Sequence, residues 1–432
     1  MAVVRLSGPN TQGIAGAIAG RLPVPRYAAL RTFRDADGAA IDRGLLLYFP
    51  APNSYTGDDT VEFHCHGGPA VVEALLRHLV QVGARGAEPG EFTQRAYLNG
   101  RLDLSQAEAV AALIEAETGA AAAAALRSLD GEFGQAVDAV ADWVAAVRVE
   151  LEAGLDFSDE EAVEGLGGGE LRGRILGIVE HLEEIHRRAA LGVQVGRTGD
   201  LTIVGAPNMG KSSLMNALCG RDAAIVHAAA GTTRDVVTEP IRFGGRSVRL
   251  VDTAGLRSGE GVGDVEVEGV RRARRAAAGA LHVMLAVEDG QRLDEAAESV
   301  IRKVGVERMT LVRTKTDLGG GATGLRDSKL VGLTEVAVSA KTGEGLEALI
   351  ARLEEVVGGA SGEDAWAAKE RHLAALDRAK AALYRACRAV EGGEEMVAED
   401  LREAQDQLGE ITGRVTTEEL LGRIFSSFCI GK

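Results

Sequence analysis

The sequence has few of the residues that build disulfide-rich or membrane-spanning proteins. It contains only 4 cysteines in 432 residues, and they lie far apart, so neither a disulfide framework nor a zinc knuckle is predicted. No uninterrupted apolar run reaches the roughly 18 residues of a membrane span, and no basic-then-apolar leader opens the chain. These absences predict a cytoplasmic protein that makes no membrane contact.

Basic residues are also fewer than acidic ones: 48 Lys and Arg against 64 Asp and Glu give a net charge of -16. Sequence-independent binding of nucleic acid over a broad surface needs clustered Lys and Arg side chains, which release counterions from the phosphates. Any RNA contact is therefore expected to be local or provided by a partner. The length predicts two or three globular domains of ordinary size.

The pattern of elements predicts a multidomain α/β and α protein. Residues 1–100 contain short β-rich runs broken by turn residues, which indicates an α+β domain. Helical sequence then begins at Leu104, where Ser105 and Glu108 form a predicted S-x-x-E capping box. Residues 101–196 and 358–432 are interpreted as two parts of one helical domain. A doubly wound α/β domain at 197–357 is inserted between them, because apolar strands alternate there with helical or loop segments.

The inserted domain carries a phosphate-binding motif, GAPNMGKS, between the strand LTIV and the helix SLMNALCG. This is the context that the G-x-x-x-x-G-K-[ST] motif requires. Backbone amides of such a loop hold the α- and β-phosphates, Lys211 reaches the β- and γ-phosphates, and the Ser212 hydroxyl coordinates Mg²⁺. The motif predicts a P-loop nucleotide hydrolase.

Two further motifs complete the phosphate side of the site. The motif GTTRD (residues 231–235) lies between the P-loop and the motif DTAG (residues 252–255). This position makes it the predicted switch segment, with Thr233 as the second predicted protein ligand of Mg²⁺. DTAG supplies Asp252 on the metal side and the Gly255 amide for the γ-phosphate. The phosphate side comprises Asn208, Met209, Gly210, Lys211, Ser212, Ser213, Gly231, Thr232, Thr233, Asp252, Thr253, Ala254 and Gly255.

Base identity is predicted from TKTD, at the end of a strand. The Asp317 carboxylate can accept two hydrogen bonds from guanine, and the edge of adenine cannot satisfy it. The GTPase pattern usually begins with Asn, so Thr314 is expected to affect nucleotide affinity more than base choice. The motif SAK (residues 339–341) follows the last strand and fits the loop that lies behind the guanine base in GTPases. The base side comprises Thr314, Lys315, Thr316, Asp317, Ser339, Ala340 and Lys341.

The residue after Gly255 is Leu256, where Ras-type GTPases have a glutamine near this point to orient the attacking water. Leu256 can neither donate nor accept a hydrogen bond, so another group must position the water. The growing charge between the phosphates also needs a cation or an arginine finger. The residues alone do not choose among the acids that could position the water, which are Glu260, Asp264, Glu266 and Glu268.

These motifs, together with PRYA, FPAPNSYTGDD, PGEFTQRAYLNGRLDLSQAEA and the C-terminal LLGRIFSSFCIGK, resemble the MnmE (TrmE) family of tRNA-modification GTPases. The resemblance covers nearly the whole chain and implies a K⁺-activated homodimer. It implies that the Asn208 side chain and the main-chain carbonyls of His227, Ala229 and Thr232 bind K⁺. It makes Glu266 of DVE the catalytic residue that positions water, and it adds Ala228 and Ala230 to the nucleotide site.

The resemblance further implies a formyl- or methylene-tetrahydrofolate site on Arg5, Glu62, Arg101 and Lys432. The family sequences begin about twenty residues earlier, so this domain is expected to be shortened at its start. The implied reaction modifies carbon 5 of the wobble uridine, position 34, of certain tRNAs. It would be carried out with an MnmG-type FAD protein in a heterotetramer or larger complex that also engages the tRNA.

Two other interpretations stay open on the sequence alone. A regulatory GTP-binding switch in ribosome assembly would use hydrolysis only to time a protein contact. The N-terminal domain and the specific C-terminal tail speak against that interpretation. An ATPase is the other alternative, and Asp317 speaks against it because of its fit to guanine.

Overall fold

The protein was analysed as a computed structural model, which describes residues 1–156, 167–196, 199–222, 238–243, 246–252, 280–328, 330, 332–357, 364–391, 393–428 and 431. The chain forms two compact units. The first contains Met1–Glu115, Ala124–Ala190 and Trp366–Lys432. The second contains Ala116–Ala123 and Leu191–Ala365.

The first unit begins with a four-stranded antiparallel sheet in the order β1-β4-β3-β2. Two helices, α1 and α2, accompany it. Val61, Phe63 and Cys65 alternate into a buried core, while Glu62 and His64 occupy the other sheet face, as the period of two in a strand dictates. The elements are β1 (Ala2–Ser7), α1 (Thr11–Ala19), β2 (Ala29–Arg34), β3 (Ala40–Phe49), β4 (Thr60–Cys65) and α2 (Pro69–Gln81).

Helices replace strands after this sheet, as the sequence predicts. Their bounds are α3 (Glu91–Leu98), α4 (Leu104–Glu115), α5 (Gly119–Leu129), α6 (Glu132–Asp156) and α7 (Gly168–Gly196). The core of this part consists of aliphatic and alanine side chains with few rings, and Phe133 lies fully buried in it.

The predicted capping box at the start of α4 is wrong by two residues. The Asp103 side chain accepts a hydrogen bond from the Gln106 amide at 2.8 Å, and the Gln106 side chain accepts one from the Asp103 amide at 2.9 Å. This reciprocal pair is the capping box, and Ser105 lies inside the helix, donating to Asp103. Glu108 is 2% exposed and binds side chains of a distant helix instead.

The second unit contains a seven-stranded sheet in the order β10-β11-β9-β8-β5-β7-β6. The strands β5, β7, β8, β9 and β11 are parallel, and the two edge strands β6 and β10 are antiparallel, so the predicted parallel sheet is in fact mixed. The elements are β5 (Gly199–Val204), α8 (Lys211–Asp222), β6 (Thr238–Phe243), β7 (Arg246–Asp252), β8 (His282–Glu288), α9 (Glu295–Val304), β9 (Met309–Thr314), α10 (Thr316–Gly319), β10 (Gly324–Arg326), β11 (Thr334–Ala337) and α11 (Leu346–Val357).

The chain then returns to the first unit with α12 (Glu370–Ala389), α13 (Glu394–Thr412) and α14 (Glu418–Ser426). Helices α12 and α13 complete the core of α6 and α7, so that one hydrophobic core joins chain segments on both sides of the second unit. None of the helices in the described ranges combines the length and apolar character needed to cross a lipid bilayer.

A buried ionic cluster links these two chain segments. Arg371 of α12 donates to Glu108 of α4 through Nε at 2.9 Å, and its guanidinium also donates to the Glu410 carbonyl of α13 at 3.0 Å. His372 Nε2 lies 2.7 Å from Glu108 without aligning its N–H on the carboxylate, while His372 Nδ1 accepts from the Lys369 amide. Burial alone would raise the pKa of Glu108, but His372 and Arg371 outweigh it and hold that pKa far below its ordinary range.

Candidate functional site

The predicted nucleotide motifs meet at one edge of the seven-stranded sheet. The P-loop follows β5, the TKTD segment follows β9, and the SAK segment follows β11. Because these strands are parallel and neighbours through β8, their carboxyl ends lie side by side. This edge is where doubly wound sheets bind ligands.

The phosphate loop requires glycine at its first position. Gly205 has a φ of +153°, and a Cβ there would lie 2.3 Å from the Ala286 carbonyl oxygen of β8. Any side chain would push the loop away from the strand, since a Cβ cannot approach a carbonyl so closely. The loop therefore turns tightly against β8 before entering α8.

Three residues at the start of α8 place polar groups where the phosphates would bind. Lys211 is 6% exposed, and its Nζ donates to the carbonyls of Gly205 and Ala206 at 2.9 and 2.7 Å, which holds the ammonium inside the loop. Ser212 and Ser213 are exposed in the first turn of α8, where backbone amides and the helix dipole attract anions. The arrangement is a phosphate cradle with a cation at its centre.

Asn208 occupies the exposed tip of this loop in the left-handed conformation, with a φ of 66°. Asparagine tolerates this region better than most residues because its short amide can bond locally. Met209 and Gly210 connect this tip to the helix, and the Gly210 carbonyl accepts from the Leu214 amide at 2.8 Å.

The base segment is attached to the phosphate loop by a side chain. Thr314 is 3% exposed, and its Oγ1 donates to the Met209 carbonyl at 2.8 Å. Threonine therefore still makes a bond from this position to the P-loop, although it replaces the usual asparagine. The link joins the two halves of the nucleotide site.

Asp317 is oriented by the SAK segment. The fully buried Ser339 donates through Oγ to Asp317 Oδ1 at 2.8 Å, and the Ser339 amide donates to the Glu344 carbonyl. Gly345 closes this loop against β11, since a Cβ there would lie 2.1 Å from the Ala337 carbonyl. Ser339 occupies one carboxylate oxygen and thereby fixes the plane in which Asp317 can meet a guanine edge.

Sequence reasoning missed two acids beside the base segment. Glu288 ends β8, and its carboxylate lies 2.8 Å from the Lys315 ammonium. The next residue, Asp289, pairs with Arg326 at 2.6 Å, which lowers the pKa of Asp289 and attaches β10 to the same edge. Glu288 is the last residue of a buried strand and Asp289 follows it directly, and that position in a parallel sheet was the available signal. Thr316, Ala340 and Lys341 complete the described base side.

The switch side of the site is described only in part. Asp252 ends β7, with its backbone in register with Ile203 of β5, which puts it beside the strand that feeds the P-loop. The predicted residues outside the described ranges are Glu266, His227, Ala228, Ala229, Ala230, Gly231, Thr232, Thr233, Thr253, Ala254, Gly255 and Lys432.

The first unit brings together part of the second predicted site. Arg5 of β1 and Glu62 of β4 are directly paired in register, with 2.9 Å between guanidinium and carboxylate. The Arg5 guanidinium also lies 5.4 Å from the Tyr55 ring centroid and 5.6 Å from that of Phe92, two contacts that sequence reasoning missed. Arg101 is exposed, and its Cγ borders the Gly57 position in the loop that carries Tyr55.

A parallel-sheet edge with a P-loop, a carboxylate fixed for guanine and an acid beside the first strand defines the class of P-loop GTPases. The comparisons with known proteins then give the family. A family model described as "GTP-binding protein TrmE N-terminus" matches residues 1–101, and one described as "MnmE helical domain" matches residues 104–429.

The relatives agree over the whole length of the chain. It is 51% identical to the tRNA modification GTPase MnmE of Halorhodospira halophila, covering 100% of this chain and 93% of the relative. The corresponding protein of Alkalilimnicola ehrlichii is 47% identical, covering 100% and 96%. This chain belongs to the MnmE family of tRNA modification GTPases, and it is a GTP hydrolase that acts in tRNA modification.

Proposed function

We propose that K⁺ activates the GTPase through the exposed Asn208. Leu256 leaves the site without the usual glutamine, so both water positioning and charge neutralisation need other groups. The amide oxygen of Asn208 is a suitable ligand for a hard cation, and this support is joined by its exposure and its left-handed backbone three residues before Lys211. Backbone oxygens of His227, Ala229 and Thr232 would complete the shell. Bound K⁺ supplies the positive charge that an arginine finger provides elsewhere.

The remaining catalytic groups are proposed by the same scheme. Ser212, in the first turn of α8, and Thr233 would hold Mg²⁺ between the phosphates. Glu266 would position the attacking water. In a homodimer, two such sites would face each other and open or close with the nucleotide state, an order–disorder change of the kind that GTPases use.

We further propose that the GTPase works with an MnmG-type flavoprotein on carbon 5 of the wobble uridine. The one-carbon unit would come from formyl- or methylene-tetrahydrofolate held by Arg5, Glu62, Arg101 and Lys432. The Arg5–Glu62 pair fits this group because it offers a donor and an acceptor side by side, next to two aromatic rings that suit a flat pterin. Bound folate supplies the carbon, while Arg5 and Glu62 orient it and Arg101 adds charge for its glutamate tail.

The cation proposal is tested by GTP turnover in K⁺ and in Na⁺ at equal ionic strength. We expect strong stimulation by K⁺ alone, and its loss in Asn208→Ala while GDP affinity stays near that of the wild type. Equal rates in both salts would refute the cation role.

The proposed role in wobble-uridine modification is tested by analysing the modified nucleosides of tRNA from a deletion strain. Unchanged tRNA would favour a regulatory switch in ribosome assembly.

Folate binding is tested separately, by equilibrium dialysis with 5-formyl-tetrahydrofolate. Glu62→Gln should weaken binding about tenfold or more, because a charged hydrogen-bond acceptor contributes about 1.5–3 kcal/mol. Glu73→Gln, which removes an exposed acid paired with Arg77, is the matched control. Equal affinity of both variants would remove Glu62 from the proposed site.

A further inference from the structure

The arginines within residues 1–100 divide into two groups by whether an acid pairs with them. One group forms ion pairs with Glu62, Glu73, Glu91 or Asp58, and consists of Arg5, Arg77, Arg85 and Arg95. The other group has no carboxylate within ion-pair distance among the residues that the structure describes. It consists of Arg21, Arg26, Arg31, Arg34 and Arg43, which we call the arginine edge.

Three guanidinium groups of the arginine edge donate to backbone carbonyls and not to carboxylates, and that of Arg26 donates to the Asn53 carbonyl and lies over the Phe49 ring. Arg31 donates to the carbonyls of Arg21 and Leu30, and Arg34 donates to that of Gly38. Two of the nearby acids, Asp35 and Asp42, are hydrogen-bonded to other groups, while Asp37 is exposed in the turn that follows Arg34. Asp35 accepts from backbone amides of its own turn, and Asp42 binds the His66 ring and amide.

Three of these arginines belong to the strands at one margin of the four-stranded sheet, with Arg31 and Arg43 on opposite faces of it. Arg31 and Arg34 belong to β2, the edge strand, and Arg43 on β3 is paired in register with Thr32. The Arg26 amide donates to the Tyr48 carbonyl of β3, so the segment before β2 continues along the same margin. A strand of this length spans about 20 Å, enough to follow several consecutive phosphates.

An exposed aromatic ring lies within the same segment. Tyr27, next to Arg26, is 70% exposed, and Leu30 is 51% exposed. Proteins that bind single-stranded nucleic acid combine a positive track for the backbone with aromatic rings on which unpaired bases stack. The arginine edge with Tyr27 has both components.

We infer, resting on the proposed action at the wobble uridine, that the arginine edge and Tyr27 form a direct contact surface for a single-stranded loop of the tRNA substrate. A chain of net charge -16 repels RNA over most of its surface, so a local positive margin selects where and how the RNA approaches. A second copy of the chain is a poorer occupant, because a two-fold interface centred on this margin would bring like charges together. An acidic peptide would match the charge but has no base to stack on Tyr27.

The test is the affinity of the full chain for a fluorescein-labelled, unmodified anticodon stem-loop, measured by anisotropy at several salt concentrations. For the double variant R34Q/R43Q, the plot of log association constant against log salt concentration should be less steep by about 1.4–1.8. The affinity at 0.1 M salt should be lower by roughly 20- to 60-fold. Tyr27→Ala should weaken binding by roughly 5- to 150-fold with an unchanged slope, since it removes stacking and no charge.

The matched control is R77Q/R402Q, which removes two exposed, ion-paired arginines and the same net charge. It should bind like the wild type, and all variants should hydrolyse GTP at the wild-type rate. The inference is overturned if R34Q/R43Q behaves like this control or if the wild type does not bind the stem-loop at low salt. Complete displacement of the stem-loop by polyglutamate of equal charge would assign the surface to a protein instead. So would a change in the oligomeric state of R34Q/R43Q without a change in its salt-dependence slope.

Discussion

The hydroxyl of Thr314 donates to the carbonyl of Met209 at 2.8 Å, which ties the segment that reads the base to the loop that holds the phosphates. Thr314 is buried and Met209 partly buried, so loss of the hydroxyl donor would leave the Met209 carbonyl without this partner. The position is usually asparagine in GTPases, and here a shorter side chain spans to the P-loop.

Removing this hydroxyl should weaken nucleotide binding without changing base choice. Thr314→Val keeps the side-chain shape and loses the donor, so we expect about 5- to 30-fold weaker binding of fluorescent GDP, from a loss of about 1–2 kcal/mol. Thr314→Ser keeps the donor and is the matched control. Equal losses in both variants would show that packing, and not the hydrogen bond, matters here.

Ser339→Ala should reduce discrimination for guanine, because Asp317 loses the donor that fixes one of its carboxylate oxygens. A hydrogen bond to a charged group contributes about 1.5–3 kcal/mol, so GDP affinity should fall about 10- to 100-fold. In competition binding, Asp317→Asn should shift preference from guanosine to xanthosine nucleotides. A Ser339→Ala variant with wild-type GDP affinity would argue against this positioning role.

Removal of the buried carboxylate Glu108 should destabilise the first unit strongly. Glu108→Ala leaves the partly buried Arg371 guanidinium and the buried His372 without their carboxylate, at a cost of up to about 3–5 kcal/mol. Glu73→Ala breaks an exposed pair with Arg77 and should cost at most about 1 kcal/mol. Denaturant unfolding followed by the fluorescence of Trp143 and Trp366, both in this unit, measures the difference. Similar midpoints for the two variants would contradict the cluster's role.

Acid should destabilise the second unit through His282. This ring is fully buried, its Nε2 lies 2.8 Å from Thr310 Oγ1, and burial with nearby Arg352 and Arg308 lowers its pKa to about 4. The unfolded chain binds a proton near pH 6.5 and the folded chain does not, so stability falls as pH drops from about 6.5 towards 4.

The loss attributable to His282 should total about 3 kcal/mol. His282→Gln should flatten the pH dependence of the unfolding free energy in this window, measured by circular dichroism. The exposed His181 serves as control, because His181→Gln should leave the curve unchanged. An identical curve for His282→Gln would show that other groups carry the acid sensitivity.

Local patterns predicted most of the fold. The strands at residues 199–204, 246–252 and 309–314 follow from apolar runs between turn signals, and the α/β class follows from their alternation with helices. The antiparallel edges β6 and β10 were not predicted, since strand direction depends on connections and partners that a run of apolar residues does not encode. The misplaced capping box at Ser105 shows the same limit at short range, because Asp103 and Gln106 offered an equivalent pair.

The sequence by itself determined the phosphate loop, since Gly205 to Ser212 act through backbone geometry and groups within one short contiguous segment. Tertiary structure alone decided the partners of Thr314, Asp317 and Lys315, because strand order brings Met209, Ser339 and Glu288 to them from distant positions. It also decided that Glu108 is a buried ion and not a helix cap, and that one group of arginines near β2 has no carboxylate within ion-pair distance among the described residues. Charge and hydrogen bonding act through space, and a linear pattern does not fix those distances.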